Sequence, residues 1–158
     1  MLKSVLKLGV VPDIKNITLD FSYIDYVSKA IVLLFDKTKL INENHHIFNS
    51  QSTDMLELAD IIRGLGYKIN KIKFIDFMDY LMRSYDNDTE TVSNVLTSIM
   101  GNSPNTTKID VMQDRTSIIL GRLGMVWPKL NDEYVGKMLE YCNKIKYFDG
   151  IYFDVVSN

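Results

Sequence analysis

Three groups of residues in this 158-residue chain have the types and spacing that chemistry uses. Tyr67 and Lys71 stand in a Y-x-x-x-K spacing, which on a helix sets a phenol and an ammonium one turn apart so that the cation lowers the phenol's pKa. Here the pair follows the helix-stopping Gly66 and runs into a β-prone segment, where positions i and i+4 lie about 13 Å apart. The spacing is therefore read as coincidence, not catalysis. His45 and His46 are metal-ligand types, but neighbours on a strand point to opposite faces and the chain holds no other histidine. They read as one surface and one packed side chain. Gly64-x-Gly66 and Gly121-x-x-Gly124 resemble phosphate-cradling glycines, yet both fall at predicted helix C-terminal ends, where the dipole is negative. These are helix caps. No strand-to-helix glycine loop, phosphate loop, nucleophile elbow or Cys/His zinc spacing occurs, so no catalytic, cofactor-binding or metal-ligating residue is expected in this chain.

What remains is a polar and aromatic set suited to binding. Asn49 closes the predicted strand His46–Asn49, and Ser22 and Tyr23 follow another at Ile17–Phe21. In an open α/β sheet, ligands lie outside the carboxyl ends of the strands, so these residues would border one crevice. A helical subdomain after residue 50 would form the opposite wall. Asn49 is open to two readings, turn formation and ligand contact. Trp127, the one tryptophan, is likewise either an anchor holding the last two helices together or an aromatic wall beside a ligand. Asn49, Tyr23 and Trp127 are the candidate substrate-binding residues.

The elements that must position them are legible in the pattern of apolar residues. The segment from His45 to Asn70 reads as strand, polar turn, helix. Ser50–Thr53 can cap a helix start, Asp54 and Glu57 suit its positive end, and Met55, Leu58, Ala59, Ile62 and Leu65 form one buried face. Gly66 stops that helix as a left-handed residue. Earlier, Leu2, Val5 and Leu6 suggest a short helix ending at Gly9, before an extended piece turning at Pro12-Asp13. Ser22 opens a helix through about Phe35, with Ile24, Val27, Ile31 and Leu34 inward. Later come a strand over Lys71–Phe74, a helix after Asp76 with Phe77, Met78 and Leu81, and a turn at Asp86–Asp88. Val92, Val95, Leu96 and Ile99 mark another helix, stopped by Gly101. The loop 102–107 and a strand over Lys108–Met112 lead to a helix over Ser117–Leu123, capped by Asp114 and ended by Gly124. Asn131 caps the last helix, with Val135, Met138, Leu139, Cys142 and Ile145 inward, and 151–156 reads as a strand or ordered tail.

Composition narrows the partners. The chain is long enough to bury a core, and 46% hydrophobic content is ordinary for a globular protein. A net charge of −2 provides no field to gather nucleic acid or an anionic membrane surface. The lone Cys142 cannot form an internal disulfide, and the longest apolar run, Ala30–Phe35, is too short to span a bilayer. A soluble, cytoplasmic protein is expected. Strand and helix alternate in the first third, and helices dominate thereafter. The expected division falls near residue 50, an alternating strand-helix part at 1–50 and a helix-rich subdomain at 51–158.

Three blocks carry a resemblance: LDFSYIDYVSKAIVLL at 19–34, HHIFNSQSTDMLELADIIRGLGYKI at 45–69, and DRTSIILGRLGMVWPKLNDEYVGKMLEYC at 114–142. Together they resemble the C-terminal part of terminal thioester reductase domains of nonribosomal peptide synthetases, within the extended short-chain dehydrogenase/reductase superfamily. The I-D-Y-V-x-K-A-I block at 24–31 and the unit around Asn49 are its strongest elements, and the L-G-x-x-W-P block favours the synthetase type. The resemblance implies an α/β fold, namely closing strand-helix units of a Rossmann-like sheet plus a mainly helical substrate-binding subdomain with short strands. It implies NAD(P)H-dependent release of a peptidyl or acyl thioester, held on a carrier protein's phosphopantetheine arm, as an aldehyde or alcohol. The family's glycine-rich cofactor loop and its Thr/Ser, Tyr and Lys set match no residue here and would lie upstream. The chain alone is then expected to be inactive, with the upstream reductase part and a peptidyl carrier protein as partners. Exposed sheet edges would favour self-association. The alternative is a stand-alone, non-catalytic interaction module derived from the same superfamily.

Overall fold

The computed structural model describes residues 2–15, 17–36, 43–101 and 114–148. In chain order the elements are α1 (Leu2–Leu8), β1 (Val10–Pro12), β2 (Thr18–Leu19), α2 (Ile24–Phe35), β3 (Thr53–Asp54), α3 (Met55–Gly64), β4 (Asn70–Ile72), α4 (Phe74–Ser84), α5 (Thr89–Gly101), α6 (Asp114–Arg122) and α7 (Asp132–Lys144). The fold is mixed α/β, with helices dominant and strands of two or three residues. The predicted loop 102–107, the strand over Lys108–Met112 and the segment 151–156 lie outside the described residues. No helix among the described residues is long and apolar enough to cross a membrane.

The chain forms two compact units interleaved along the sequence. The first draws on the described parts of 1–18, 54–106 and 130–158, and the second on those of 19–53 and 107–129. In the first unit, β1 pairs in parallel with β4, Val11 lying opposite Lys71. Gly9 turns α1 into β1 at φ 65°, and its carbonyl accepts the Asn70 amide at 2.9 Å. Phe77, Leu81, Val92 and Val95 make the centre of this unit, flanked by Leu8, Val10, Ile72 and Met78.

Helix α3 forms as its sequence dictates. Met55, Leu58, Ala59 and Ile62 are buried, at the i, i+3, i+4, i+7 spacing of one face. The cap is Asp54, whose carboxylate accepts the Leu56 amide at 2.8 Å, not the Ser50–Thr53 turn. At the other end Gly66 takes φ 91°, while its amide bonds Arg63 O and the Tyr67 amide bonds Ile62 O. That is the paired 5→2 and 6→1 closure which requires a left-handed residue and so favours glycine. Asn131 caps α7 through the Tyr134 amide at 3.0 Å, and Asp88 caps α5 through the Thr91 amide at 3.2 Å. In α7, Val135 and Leu139 are buried, whereas Ile145 falls at the C-cap and is exposed.

Three expectations are corrected. The segment 46–49 forms no strand, and the partner of β2 is β3. The run 45–49 is held at its ends by side-chain hydrogen bonds, at His45 and at Asn49, while Ile47 packs against the core. Helix α4 begins at Phe74, two residues before Asp76, which shortens the preceding strand to Asn70–Ile72. Helix α2 is rotated from its predicted face: Leu34 is buried and Val27 packs against the core as expected, but Ile24 and Ile31 are 78% and 51% exposed, and Ala30 is buried in their place. The small Ala30 lets α2 approach Leu120, Met125 and Trp127 closely, with Tyr26, Val27 and Leu33 packing alongside. Close approach at Ala30 outweighs the larger apolar area of Ile24 and Ile31, because packing density, not hydrophobicity alone, fixes a face.

Candidate functional site

The second unit gathers the candidate residues around one buried side chain. Asn49 is 2% exposed, and its carboxamide is used on three sides. Nδ2 donates to Phe21 O and to Pro128 O, each at 3.0 Å, and Oδ1 accepts the Gln51 amide at 2.9 Å. The Asn49 backbone amide donates to Ser22 Oγ at 2.9 Å. The Asn49–Gln51 bond is the short-range turn that Asn favours, in which a side-chain oxygen accepts the backbone amide two residues on. The other contacts tie together the residues before α2, the chain at 49–51, and the turn after α6. Ser22, expected to open α2, is engaged by Asn49, and Tyr23 takes the N-cap position without a side-chain cap bond.

Tyr23 stands next to this knot. Its ring centroid lies 6.3 Å from that of Tyr26, which in turn stacks on Trp127 at 6.3 Å and 30°. The Tyr23 hydroxyl is buried, and burial first, then the charge of Asp25 and the neighbouring Tyr26, raise its pKa above the ordinary phenol range. At neutral pH it is a protonated hydroxyl. Trp127 is 6% exposed, and its ring packs among Ala30, Leu34, Leu120 and Met125. It joins α2 to α6, a correction to the expectation that it anchors the last two helices. The structure thus brings Tyr23, Asn49 and Trp127 into one neighbourhood, with Asn49 and Trp127 engaged by the protein itself.

Thr116 carries no sequence signature that marks it, and Gln51 carries only a local one. Gln51 is exposed, and its Nε2 donates to Trp127 O at 2.9 Å. The Asn-x-Gln turn is the one local signal for it. Thr116 is buried, and its Oγ1 lies 3.3 Å from His45 Nδ1. His45 Nε2 lies 3.8 Å from Glu43 Oε2, and Glu43 Oε1 pairs with Arg115 at 2.7 Å. His46 is exposed, so the two histidines face different surroundings. Among the described residues, no group of three or more His, Cys, Asp or Glu is placed to hold a metal ion.

The Y-x-x-x-K pair is drawn apart. Tyr67 Oη accepts from Asn143 Nδ2 at 3.2 Å, and Lys71 on β4 pairs with Asp60 at 2.6 Å. Asp60 also pairs with Arg63, and the Lys71 hydrogen bond is the largest cause of its lowered pKa. Gly66 and Gly124 follow the C-terminal ends of α3 and α6 with φ 91° and 78°. Both are left-handed cap residues.

The fold is the one found in terminal reductase domains of nonribosomal peptide and mixed polyketide synthetases. Of these, the terminal R domain from the myxalamid PKS-NRPS biosynthetic pathway aligns at TM-score 0.72 and 23% identity, over 95% of this chain and 38% of that one. A thiolation-reductase di-domain from an archaeal nonribosomal peptide synthetase aligns at TM-score 0.72 and 26% identity, over 94% of this chain and 30% of that one. A linear gramicidin synthase of Brevibacillus parabrevis is 23% identical over 143 residues, 87% of this chain and 3% of that protein. The chain therefore spans about a third of the reductase structures and a small part of the curated synthase it matches. No family model matches it.

Proposed function

We propose that this chain is the substrate- and carrier-facing portion of a thioester reductase, working in the cytoplasm. The reaction it would serve is NAD(P)H-dependent reduction of a peptidyl or acyl thioester, presented on the phosphopantetheine arm of a peptidyl carrier protein, to an aldehyde or alcohol. The observation that carries this reading is the knot at Asn49. It fixes a polar loop and two aromatic residues in one place, in a chain whose fold is that of terminal reductase domains. An arm that is amide-rich and uncharged near sulfur is recognised by oriented amides and hydroxyls more than by charges.

The glycine turn that would set a pyrophosphate against a helix N-terminus is not encoded, so cofactor binding falls to a nucleotide-binding portion outside this chain. The test is NAD(P)H oxidation with an acyl thioester, run on the chain alone and on the chain joined to the nucleotide-binding portion of a terminal reductase domain. The expected result is no turnover alone and turnover when joined. Cofactor-dependent turnover by the chain alone would overturn the reading.

A further inference from the structure

We propose that Gln51 Oε1 is the acceptor through which this loop takes a secondary amide N–H of the thioester ligand, an inference that rests on the substrate-facing reading above. Asn49, Trp127 and Tyr23 leave little to offer a ligand. Asn49 has both amide hydrogens and its carbonyl engaged inside the protein, Trp127 gives its ring to the core, and the Tyr23 hydroxyl is buried. Gln51 sits on the outer side of the same knot and is exposed. Two bonds hold it: its backbone amide donates to Asn49 Oδ1, and Nε2 donates to Trp127 O, both at 2.9 Å. Anchoring Nε2 fixes the plane of the carboxamide, while Oε1 has no partner among the described residues. An exposed acceptor whose orientation is already set binds without the ordering cost that a free glutamine would incur. Its complement is an amide N–H, which both the pantetheine arm and a peptide cargo carry.

Two probes separate those sources: pantetheine, and an N-acetyl dipeptide amide. Each is titrated into the full 158-residue chain, followed by backbone and side-chain amide shifts, for the parent, Gln51→Ala and Gln51→Glu. Both variants lose the bond to Trp127 O, but only Gln51→Ala loses the acceptor. The expected result is that Gln51→Ala weakens binding about five- to tenfold, the scale of one hydrogen bond, and that Gln51→Glu, which keeps an acceptor but loses the anchor on Trp127 O, weakens it less than Gln51→Ala does. The probe that binds identifies the source. Equal binding by the parent and Gln51→Ala overturns this proposal and leaves the substrate-facing reading standing. Equal loss in both variants also overturns it, since the loop contact to Trp127 would then be what matters. No binding of either probe by the parent removes both the proposal and the reading beneath it.

Discussion

Replacing Asn49 by alanine should unfasten the second unit. The substitution deletes three side-chain hydrogen bonds, to Phe21 O, Pro128 O and the Gln51 amide, at a position 2% exposed. Each bond contributes about 1 kcal/mol net, and a buried carbonyl left without its donor costs about 1–3 kcal/mol. Water entering the vacated space recovers part of this, which places the loss at about 3–4 kcal/mol. Domains of this size have about 5–15 kcal/mol of stability in total, so the loss is a large share. With about 2–4 °C per kcal/mol for a chain of this length, the melting temperature should fall by roughly 10 °C. The assay is urea and thermal unfolding read by the fluorescence of Trp127, the single tryptophan, whose carbonyl and neighbouring Pro128 belong to the same knot. Asn49→Asp should be nearly as damaging, because it keeps the acceptor but turns a carboxylate toward two carbonyls. A change below about 0.5 kcal/mol in Asn49→Ala, the range of ordinary surface substitutions, would refute the reasoning.

Other consequences follow from the same contacts. Trp127→Ala should cost about 3–5 kcal/mol, as for other large aromatics in a core, seen by circular dichroism in urea. Gly66→Ala should cost about 1–2 kcal/mol by forcing a Cβ into the left-handed region, and Gly64→Ala, with open space around the added carbon, should not destabilise α3; urea midpoints of the two variants check both. The Lys7 hydrogen bond, then that of Thr91, hold the Asp88 carboxyl below the usual range. Because the folded pKa is the depressed one, the stability from Asp88 is fully present above about pH 4 and is lost as pH falls below it. Urea midpoints at about pH 6 and about pH 3 should therefore differ less in Asp88→Asn than in the parent.

Local signals are legible in the sequence where a few neighbouring residues decide the outcome. The buried face of α3, the Asn131 cap, the Val92 to Ile99 stripe and the stop at Gly66 all depend on contacts within one or two turns. The rotation of α2 is hidden because it is set by Ala30 meeting Leu120 and Trp127, residues about 90 positions away, while Ile24 and Ile31 look more apolar. The run 46–49 has strand-like composition, but strand formation needs a partner, and Thr53–Asp54 takes β2 instead. Tyr23 and Asn49 are picked out by their place at the ends of two expected strands, of which the one at 46–49 does not form, and Trp127 by its type. That Asn49 faces inward is not legible, since one of its acceptors, Pro128, is 79 residues distant. Gln51 does not stand out because glutamine has no spacing signature. Its importance lies in the bond to Trp127 O, 76 residues along the chain.

The most direct test of the substrate-facing role is the affinity of this chain for a peptidyl carrier protein with and without its phosphopantetheine arm, by calorimetry. A chain that receives the arm should bind the arm-bearing carrier at least fivefold more tightly than the bare carrier, about 1 kcal/mol. Equal affinities for the two forms, or no binding of either, would contradict the account.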